Sequence, residues 1–145
     1  MFKYLAVIVV LIFQPSLAFA DFSPDGKYIT FSLKVDDSSQ VFIANSDGTQ
    51  SQQISQENGE YFNPTWSPLG DLIAFRKNEG GNSYIGVMNI DGSNERMITT
   101  GHLVETPSWS NDGKRILYYK FDSNDNGVLY IVDITGFNEN LIKSN

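Results

Sequence analysis

Few side chains in this sequence could take part in catalysis. His102 is the single histidine and the chain contains no cysteine, so it offers neither a thiol nucleophile nor the ligand set of a typical zinc site. A Ser–His–Asp hydrolase also needs its serine on a sharp turn of the G-x-S-x-G type, which the sequence lacks. These observations predict a protein without catalytic activity or cofactor, and they favour a loop position for His102.

One segment resembles a metal-binding loop. Asp122, Asn124 and Asn126 stand at alternate positions before a glycine, and Asp133 takes the twelfth place of the segment. Oxygen ligands in this arrangement bind calcium in EF-hand loops, although a bidentate glutamate normally takes the twelfth place. The segments KVDDSSQ and KNEGGNS hold the same place in two earlier parts of a sequence repeat. This equivalence favours a hairpin loop, with Asp133 at the far end of the next strand, over a calcium site.

A threefold sequence repeat positions these residues. The segments DFSPDGKYITF, TWSPLGDLIAF and SWSNDGKRILYY share one pattern, and their glycines lie 44 and 43 residues apart. A second signature, ANSDGT, MNIDGS and VDITGF, keeps a period of 44 residues, and a third follows in SQQIS, NERMIT and NENLIK. Three features on one period predict structural repeats over residues 21–58, 59–101 and 102–145.

Each repeat has the composition of a small β-sheet. A Ser-Pro-Asp-Gly type of turn precedes a short run rich in Ile, Phe and Tyr, and an Asp-Gly turn follows a second apolar run. Because the central runs are apolar at successive positions, both faces of each sheet should be buried. Four strands in about 44 residues predict an all-β fold built of β-propeller blades.

Aromatic residues end the predicted innermost strands. Trp66 and Trp109 close the segments FNPTW and ETPSW, and Phe22 takes their place in the first repeat. We expect these three side chains to pack between neighbouring blades. Nothing like FNPTW precedes Phe22, so we predict eleven strands, with the first blade lacking its inner strand.

The first twenty residues have the pattern of a secretory signal peptide. Lys3 precedes the ten-residue apolar stretch YLAVIVVLIF, and the segment ends in Ala18-Phe19-Ala20. A membrane-spanning helix would need roughly 20 apolar residues. We therefore expect residues 1–20 to be a cleaved signal peptide and the mature chain to be exported to a bacterial periplasm.

The charge balance disfavours two classes of partner. The chain has 10 Lys and Arg against 17 Asp and Glu, a formal charge of −7. Phosphate groups would be repelled, so the composition predicts no binding to nucleic acid or to an anionic membrane surface.

The repeated pattern W-S-P-x-G…I-A-F…M-N-x-D-G-S resembles the propeller repeats of TolB-type proteins of the Tol–Pal envelope system. The resemblance implies a periplasmic, non-enzymatic protein whose propeller docks a Pal-like outer-membrane lipoprotein at the mouth of its channel. Segments leading into the inner strands line that mouth in such propellers. The implied protein-binding residues are therefore Glu60, Tyr61, Asn63, His102, Glu105 and Thr106.

The sequence departs from the TolB-type pattern in two ways. We expect no room for the α/β domain that precedes the propeller in that family, and three blades stand where the family has six. Two hypotheses follow: two copies complete one ring by self-association, or the chain is a truncated relic without a present binding role. Similar repeats also occur in peptidase and oligogalacturonate lyase propellers, so a gating or lyase-type propeller of an enzyme is a further alternative.

Overall fold

The computed structural model describes residues 19–56, 58–99, 103–121 and 126–142. All regular elements in these ranges are β-strands. The described residues contain no helix that is long and apolar enough to cross a membrane. The strands are β1 (Ala20–Phe22), β2 (Tyr28–Val35), β3 (Ser38–Asn45), β4 (Gln52–Gln53), β5 (Glu60–Trp66), β6 (Leu72–Glu79), β7 (Asn82–Asn89), β8 (Arg96–Met97), β9 (Val104–Trp109), β10 (Arg115–Phe121), β11 (Gly127–Asp133) and β12 (Asn140–Leu141).

The strands form three separate antiparallel sheets of four strands each. The sheet orders are β1-β2-β3-β4, β5-β6-β7-β8 and β9-β10-β11-β12, so each sheet is one sequence repeat folded as a meander. We call these sheets blade 1, blade 2 and blade 3. The outer strands β4, β8 and β12 contain only two residues each, as expected for half-polar edges. The predicted partial β-propeller of three blades is confirmed.

The first blade differs from its prediction. Ala20 pairs with Phe31 and Phe22 pairs with Ile29, which makes β1 a short inner strand and raises the count among the described residues to twelve. The prediction that blade 1 lacks this strand is therefore wrong. The strand has only three residues, and the Asp21 carboxylate adds to its backbone pairing by accepting hydrogen bonds from blade 2.

The blades stack face to face, and only the middle blade is covered on both sides. Ile73, Ala74 and Phe75 are consecutive in β6 and all fully buried, which confirms the prediction of two buried faces for blade 2. In β10, by contrast, Tyr118 is buried while its neighbour Tyr119 is half exposed. Blades 1 and 3 thus each present one face that no described residue covers.

The tryptophans pack between blades, as predicted. Trp66 joins a core cluster with Val41, Ile43 and Ile54 of blade 1, and Trp109 packs against the corresponding cluster of blade 2. Trp109 also donates a hydrogen bond from Nε1 to the main-chain oxygen of Thr65, 3.1 Å away. The equivalent Phe22 is 63% exposed because no described blade precedes it.

Close backbone contacts hold neighbouring blades together. Gly92, in the turn between β7 and β8, has φ of 81° and lies against the carbonyl group of Ile54 in blade 1. Gly136 makes the equivalent contact with Ile98, so the same approach recurs between blades 2 and 3. Both turns need a residue without a Cβ atom, for the backbone conformation and for the space.

Candidate protein-binding surface

The inner strands of blades 2 and 3 carry the same backbone irregularity. In β5, Asn63 and Pro64 lie between paired Phe62 and Thr65, opposite a single residue of β6. Such a bulge bends a strand and leaves an extra residue unpaired. Asn63 has φ of 51°, a left-handed conformation that asparagine tolerates.

The bulge in β9 is more strained. Thr106 and Pro107 again stand opposite one residue of β10, and Thr106 has φ of 52°. A β-branched residue rarely adopts this conformation, which costs on the order of 1–3 kcal/mol. Strain of this kind is concentrated at functional sites, because it persists only where the surrounding structure fixes it.

The structure places five of the six predicted binding residues on the two inner strands, and four of these reach the surface. Glu60 is exposed at the start of β5, and Asn63 is half-buried at its bulge. Glu105 and Thr106 are exposed in β9. His102 lies outside the described residues. We call Glu60, Asn63, Glu105 and Thr106 the inner-strand surface.

Glu60 borders an open cleft between two blades. The cleft has a volume of about 350 Å³ and is lined by Glu60, by the β6–β7 hairpin around Gly80 and Gly81, and by Leu103, which precedes β9. Its lining combines the acidic residues Glu60 and Glu79 and the polar residues of the hairpin with the apolar Leu103. A cleft of this kind accepts a protein side chain better than a small ligand that must be enclosed.

An ion pair across blades orients Glu105. The Arg76 guanidinium lies 3.0 Å from the Glu105 carboxylate and stacks over the Phe62 ring at 4.7 Å. Arg76 is largely buried, whereas the Glu105 side chain is 51% exposed. Glu105 therefore presents an ordered carboxylate to solvent at the junction of β6 and β9.

Tyr61 has a different environment from its neighbours. Its side chain is fully buried, and its hydroxyl donates to the Glu95 carboxylate at 2.9 Å. The Lys77 ammonium lies 3.1 Å from the same carboxylate and 4.9 Å from the Tyr61 ring. This burial argues against the predicted binding role of Tyr61, because a partner could not reach the side chain without opening the core.

Burial and hydrogen bonding shift the pKa values of this cluster. Burial, together with the Glu95 carboxylate, raises the pKa of Tyr61 to about 12. Burial alone would lower the pKa of Lys77, but its bonds to Tyr61 and Glu95 raise it above the usual lysine range. The cluster is therefore a neutral tyrosine with a lysine–glutamate ion pair at neutral pH, which suits a structural role.

Blade 3 repeats this cluster with one change. Lys120 and Glu139 occupy the places of Lys77 and Glu95, and their charged groups lie 3.6 Å apart. The hydroxyl that meets Glu139 comes from Tyr118 in β10 rather than from the inner strand. The sequence reasoning missed both clusters, although Lys and Glu recur at equivalent repeat positions and could have signalled them.

The calcium-loop candidate is only partly described. Asp122 and Asn124 lie outside the described residues, and Asn126 is exposed just before β11. Asp133 ends β11, so the whole strand separates it from Asn126. Its carboxylate accepts hydrogen bonds from Thr135 and Asn138 in the following turn. Within residues 19–56, 58–99, 103–121 and 126–142, no group of three or more acidic or histidine side chains could hold a metal ion.

Residues 18–145 match the TolB beta propeller domain, which is nearly all of the chain. The chain belongs to the TolB β-propeller family. Family membership accounts for the repeat period and for the three equivalent blades. The relatives include a Tol-Pal system protein TolB from Wolbachia sp. subsp. Drosophila simulans, which is 39% identical over 93 residues. Another, from Gluconobacter oxydans, is 37% identical over 95 residues.

The alignments cover 64% and 61% of this chain but only 22% and 21% of those two TolB proteins. The chain thus spans about a fifth of the TolB relatives that it matches. The whole protein's activity and partners therefore do not pass to this chain without further argument.

Solved structures share the TolB-type blade arrangement. A putative TolB from Agrobacterium tumefaciens has a TM-score of 0.78 and 22% identity, covering 86% of this chain and 48% of that chain. The β-propeller domain of the Trilobed protease from Pyrococcus furiosus has a TM-score of 0.65 and 17% identity, covering 90% of this chain and 45% of that domain. At these identities the likeness concerns the fold, which TolB proteins and peptidase propellers have in common.

Proposed function

We propose that this chain is a non-enzymatic protein-binding module of the Tol–Pal system, which docks a Pal-like outer-membrane lipoprotein on its inner-strand surface. The observation that carries the proposal is the pair of bulges at Asn63 and Thr106. They occupy equivalent places in two blades, and both hold a non-glycine residue in the left-handed conformation. Membership of the TolB β-propeller family supports the choice of partner.

The bulges prepare the surface for a rigid contact. Pro64 and Pro107 follow the two strained residues and are buried, so the bent backbone is held in place before any partner arrives. A preorganised surface loses less conformational entropy on binding than a flexible loop does. The fold holds Thr106 in its strained conformation, and this conformation shapes the binding surface.

The charges of the surface indicate the chemistry of the partner. Glu60 and Glu105 are exposed carboxylates, and the chain as a whole carries a formal charge of −7. A basic patch on the lipoprotein would pair with these carboxylates and be steered toward them. We include His102 in the proposed contact, on the resemblance of its segment to channel-mouth loops.

We also propose that the chain acts in the periplasm. Support comes from the signal-peptide pattern of residues 1–20 and from the Tol–Pal system to which the named relatives belong. An exported binding protein without catalysis agrees with the single histidine and the absence of cysteine in the sequence.

The test is calorimetric titration of the purified chain with the lipid-free soluble domain of the Pal lipoprotein from the same organism. We expect saturable one-to-one binding per surface. The double substitution Glu60→Gln and Glu105→Gln should weaken binding about tenfold, equivalent to ~1.4 kcal/mol. Asp37→Asn, a carboxylate removed at the β2–β3 turn of blade 1, is the matched control and should bind as the unchanged chain does.

Two results would contradict this function. If the folded chain gives no binding heat when it is titrated with the Pal domain, the relic hypothesis is favoured. Equal affinity of the double variant and the Asp37→Asn control would show that Pal binds elsewhere on the chain. A melting curve for each variant separates a lost contact from a lost fold.

A further inference from the structure

The two faces of a blade are different, and the structure shows which face packs on which. Blade 1 presents Val41, Ile43 and Ile54 to blade 2, and these side chains form a buried cluster with Trp66 and Phe75. We call the side that faces the next blade the forward face. The opposite side, which carries the aromatic end of the inner strand, is the rear face.

The second junction repeats the first. Ile85, Val87 and Ile98 form the forward face of blade 2, each 44 residues after its counterpart in blade 1. They pack with Ile116 and Tyr118 on the rear face of blade 3. The same two surfaces have therefore met twice within one chain.

The forward face of blade 3 has the same apolar residues without a covering blade. Leu129, Ile131 and Ile142 stand 44 residues after the forward-face residues of blade 2. Leu129 and Ile131 are partly exposed, and Ile142 is 42% exposed. No described residue lies over them as blade 3 lies over blade 2.

The rear face of blade 1 is the complementary open surface. Phe22, Ile29 and Phe31 occupy the repeat positions of Trp66, Ile73 and Phe75, the rear-face core of blade 2. Phe22 is 63% exposed, and the Phe31 ring stacks on Phe42 with centroids 5.8 Å apart. Apolar side chains left open together on one face of a sheet normally mark an interface.

A glycine gives a third correspondence. Gly92 and Gly136 approach the carbonyl groups of Ile54 and Ile98 on the preceding blade. Gly48 has the same turn and φ of 82°, yet no heavy atom lies within 4 Å of the place of its Cβ. The acceptor that would complete the series is the carbonyl of Ile142, on the open forward face of blade 3.

We propose that these two faces are covered by a second copy of the chain, with the forward face of blade 3 in each copy packed on the rear face of blade 1 in the other. The occupant is a second copy because this chain carries both halves of a junction that it already forms twice. Two copies would together approach the size of one ring, since one chain covers 45% of the Pyrococcus furiosus propeller domain. The inference does not depend on the proposed function.

The test begins with the mass of the full chain by light scattering after size exclusion, where we expect two copies per particle. Ile131→Asp on the forward face and Phe22→Asp on the rear face should each give a single copy, because each one damages both junctions of the ring. Phe137→Asp, at an 87% exposed position in the β11–β12 turn, is the matched control and should remain at two copies.

Mixing the two single variants gives the decisive result. In a mixed pair, one junction joins the two altered faces and the other joins two unaltered faces. We therefore expect a particle of two copies that neither variant forms alone, and circular dichroism of each variant to show an intact fold. Gly48→Ala should weaken the association, whereas Gly81→Ala, at a glycine with the same φ and open surroundings, should not.

Three outcomes would overturn the proposal. A single-copy particle from the unchanged chain would mean that other residues cover the faces or that they stay open. A Phe22→Asp variant that still pairs would indicate a symmetric contact between two forward faces. A mixture that stays at one copy would exclude the head-to-tail geometry.

Discussion

A Cβ atom placed on Gly92 would overlap the carbonyl oxygen of Ile54. The turn of blade 2 therefore touches the backbone of blade 1 so closely that no side chain fits between them. This contact links the sequence signature M-N-x-D-G-S, which defines the turn, to the packing of whole blades.

Gly92→Ala should destabilise the chain more than Gly81→Ala does. Both glycines have φ of 81°, so both substitutions carry the same backbone strain, but Gly81 has open space around it. Displacing Ile54 adds about 1–3 kcal/mol to the cost at Gly92. Urea unfolding of the two variants measures the difference. Equal midpoints would show that blade 1 can move away from a larger residue 92 at no cost in stability.

The Asp21 carboxylate ties the inner strand of blade 1 to blade 2. It accepts hydrogen bonds from Thr65 Oγ1 at 2.8 Å and from the Trp66 amide at 2.9 Å. Asp21→Ala leaves both donors without this acceptor and should cost about 1–3 kcal/mol. Hydrogen exchange should show faster exchange of the Trp66 amide. A variant with unchanged protection at that amide would contradict the role of Asp21.

Tyr61 makes the stability of the fold sensitive to alkaline pH. Its pKa is raised to about 12 by burial and by Glu95, above the value of about 10 in an unfolded chain. The contribution of the neutral hydroxyl is complete below about pH 10 and is lost as the pH rises toward about 12. Unfolding midpoints near pH 7, 10 and 12 should fall less for Tyr61→Phe than for the unchanged chain. Tyr28→Phe, at a partly exposed tyrosine outside the cluster, is the control.

Asp25 makes an opposite contribution in acid. The Ser23 hydroxyl, followed by the Lys27 amide, lowers the pKa of this carboxyl to about 2. Its stabilising effect is complete above the unfolded value of about 3.9 and is lost as the pH falls toward about 2. Asp25→Asn should lose less stability than the unchanged chain between about pH 5 and 2. Parallel acid profiles would show that the turn does not depend on this charge.

Much of the fold is predictable from the sequence because turns and apolar runs are local signals. The glycines of the Ser-Pro-Asp-Gly and Asp-Gly turns do adopt positive φ, and the sheets follow the repeat. The strand β1 could not be predicted in the same way. It contains three residues and overlaps the signal-peptide pattern at Ala20. Asp21 holds it in place by accepting hydrogen bonds from Thr65 and Trp66 of the neighbouring blade, 44 and 45 residues later in the chain.

The candidate site was predictable only in outline. The repeat places the residues of the inner-strand surface before the tryptophans. It does not predict the bulges at Asn63 and Thr106. The buried Tyr61 donates its hydroxyl to Glu95, which lies 34 residues later in the chain. Spatial contact across such a separation leaves no local pattern in a single sequence.

The two tyrosine clusters have a consequence for the way in which this repeat changes over time. Aligned by column, blade 2 has Tyr61 and Phe75 where blade 3 has Val104 and Tyr118, two apparent mismatches. In space, one tyrosine hydroxyl of each blade meets the equivalent glutamate, Glu95 in blade 2 and Glu139 in blade 3. The two blades share the place of a hydroxyl group beside this glutamate, but the strand that supplies it differs: β5 in blade 2 and β10 in blade 3. Blades 2 and 3 therefore differ at aligned positions and still make the same tyrosine–glutamate contact.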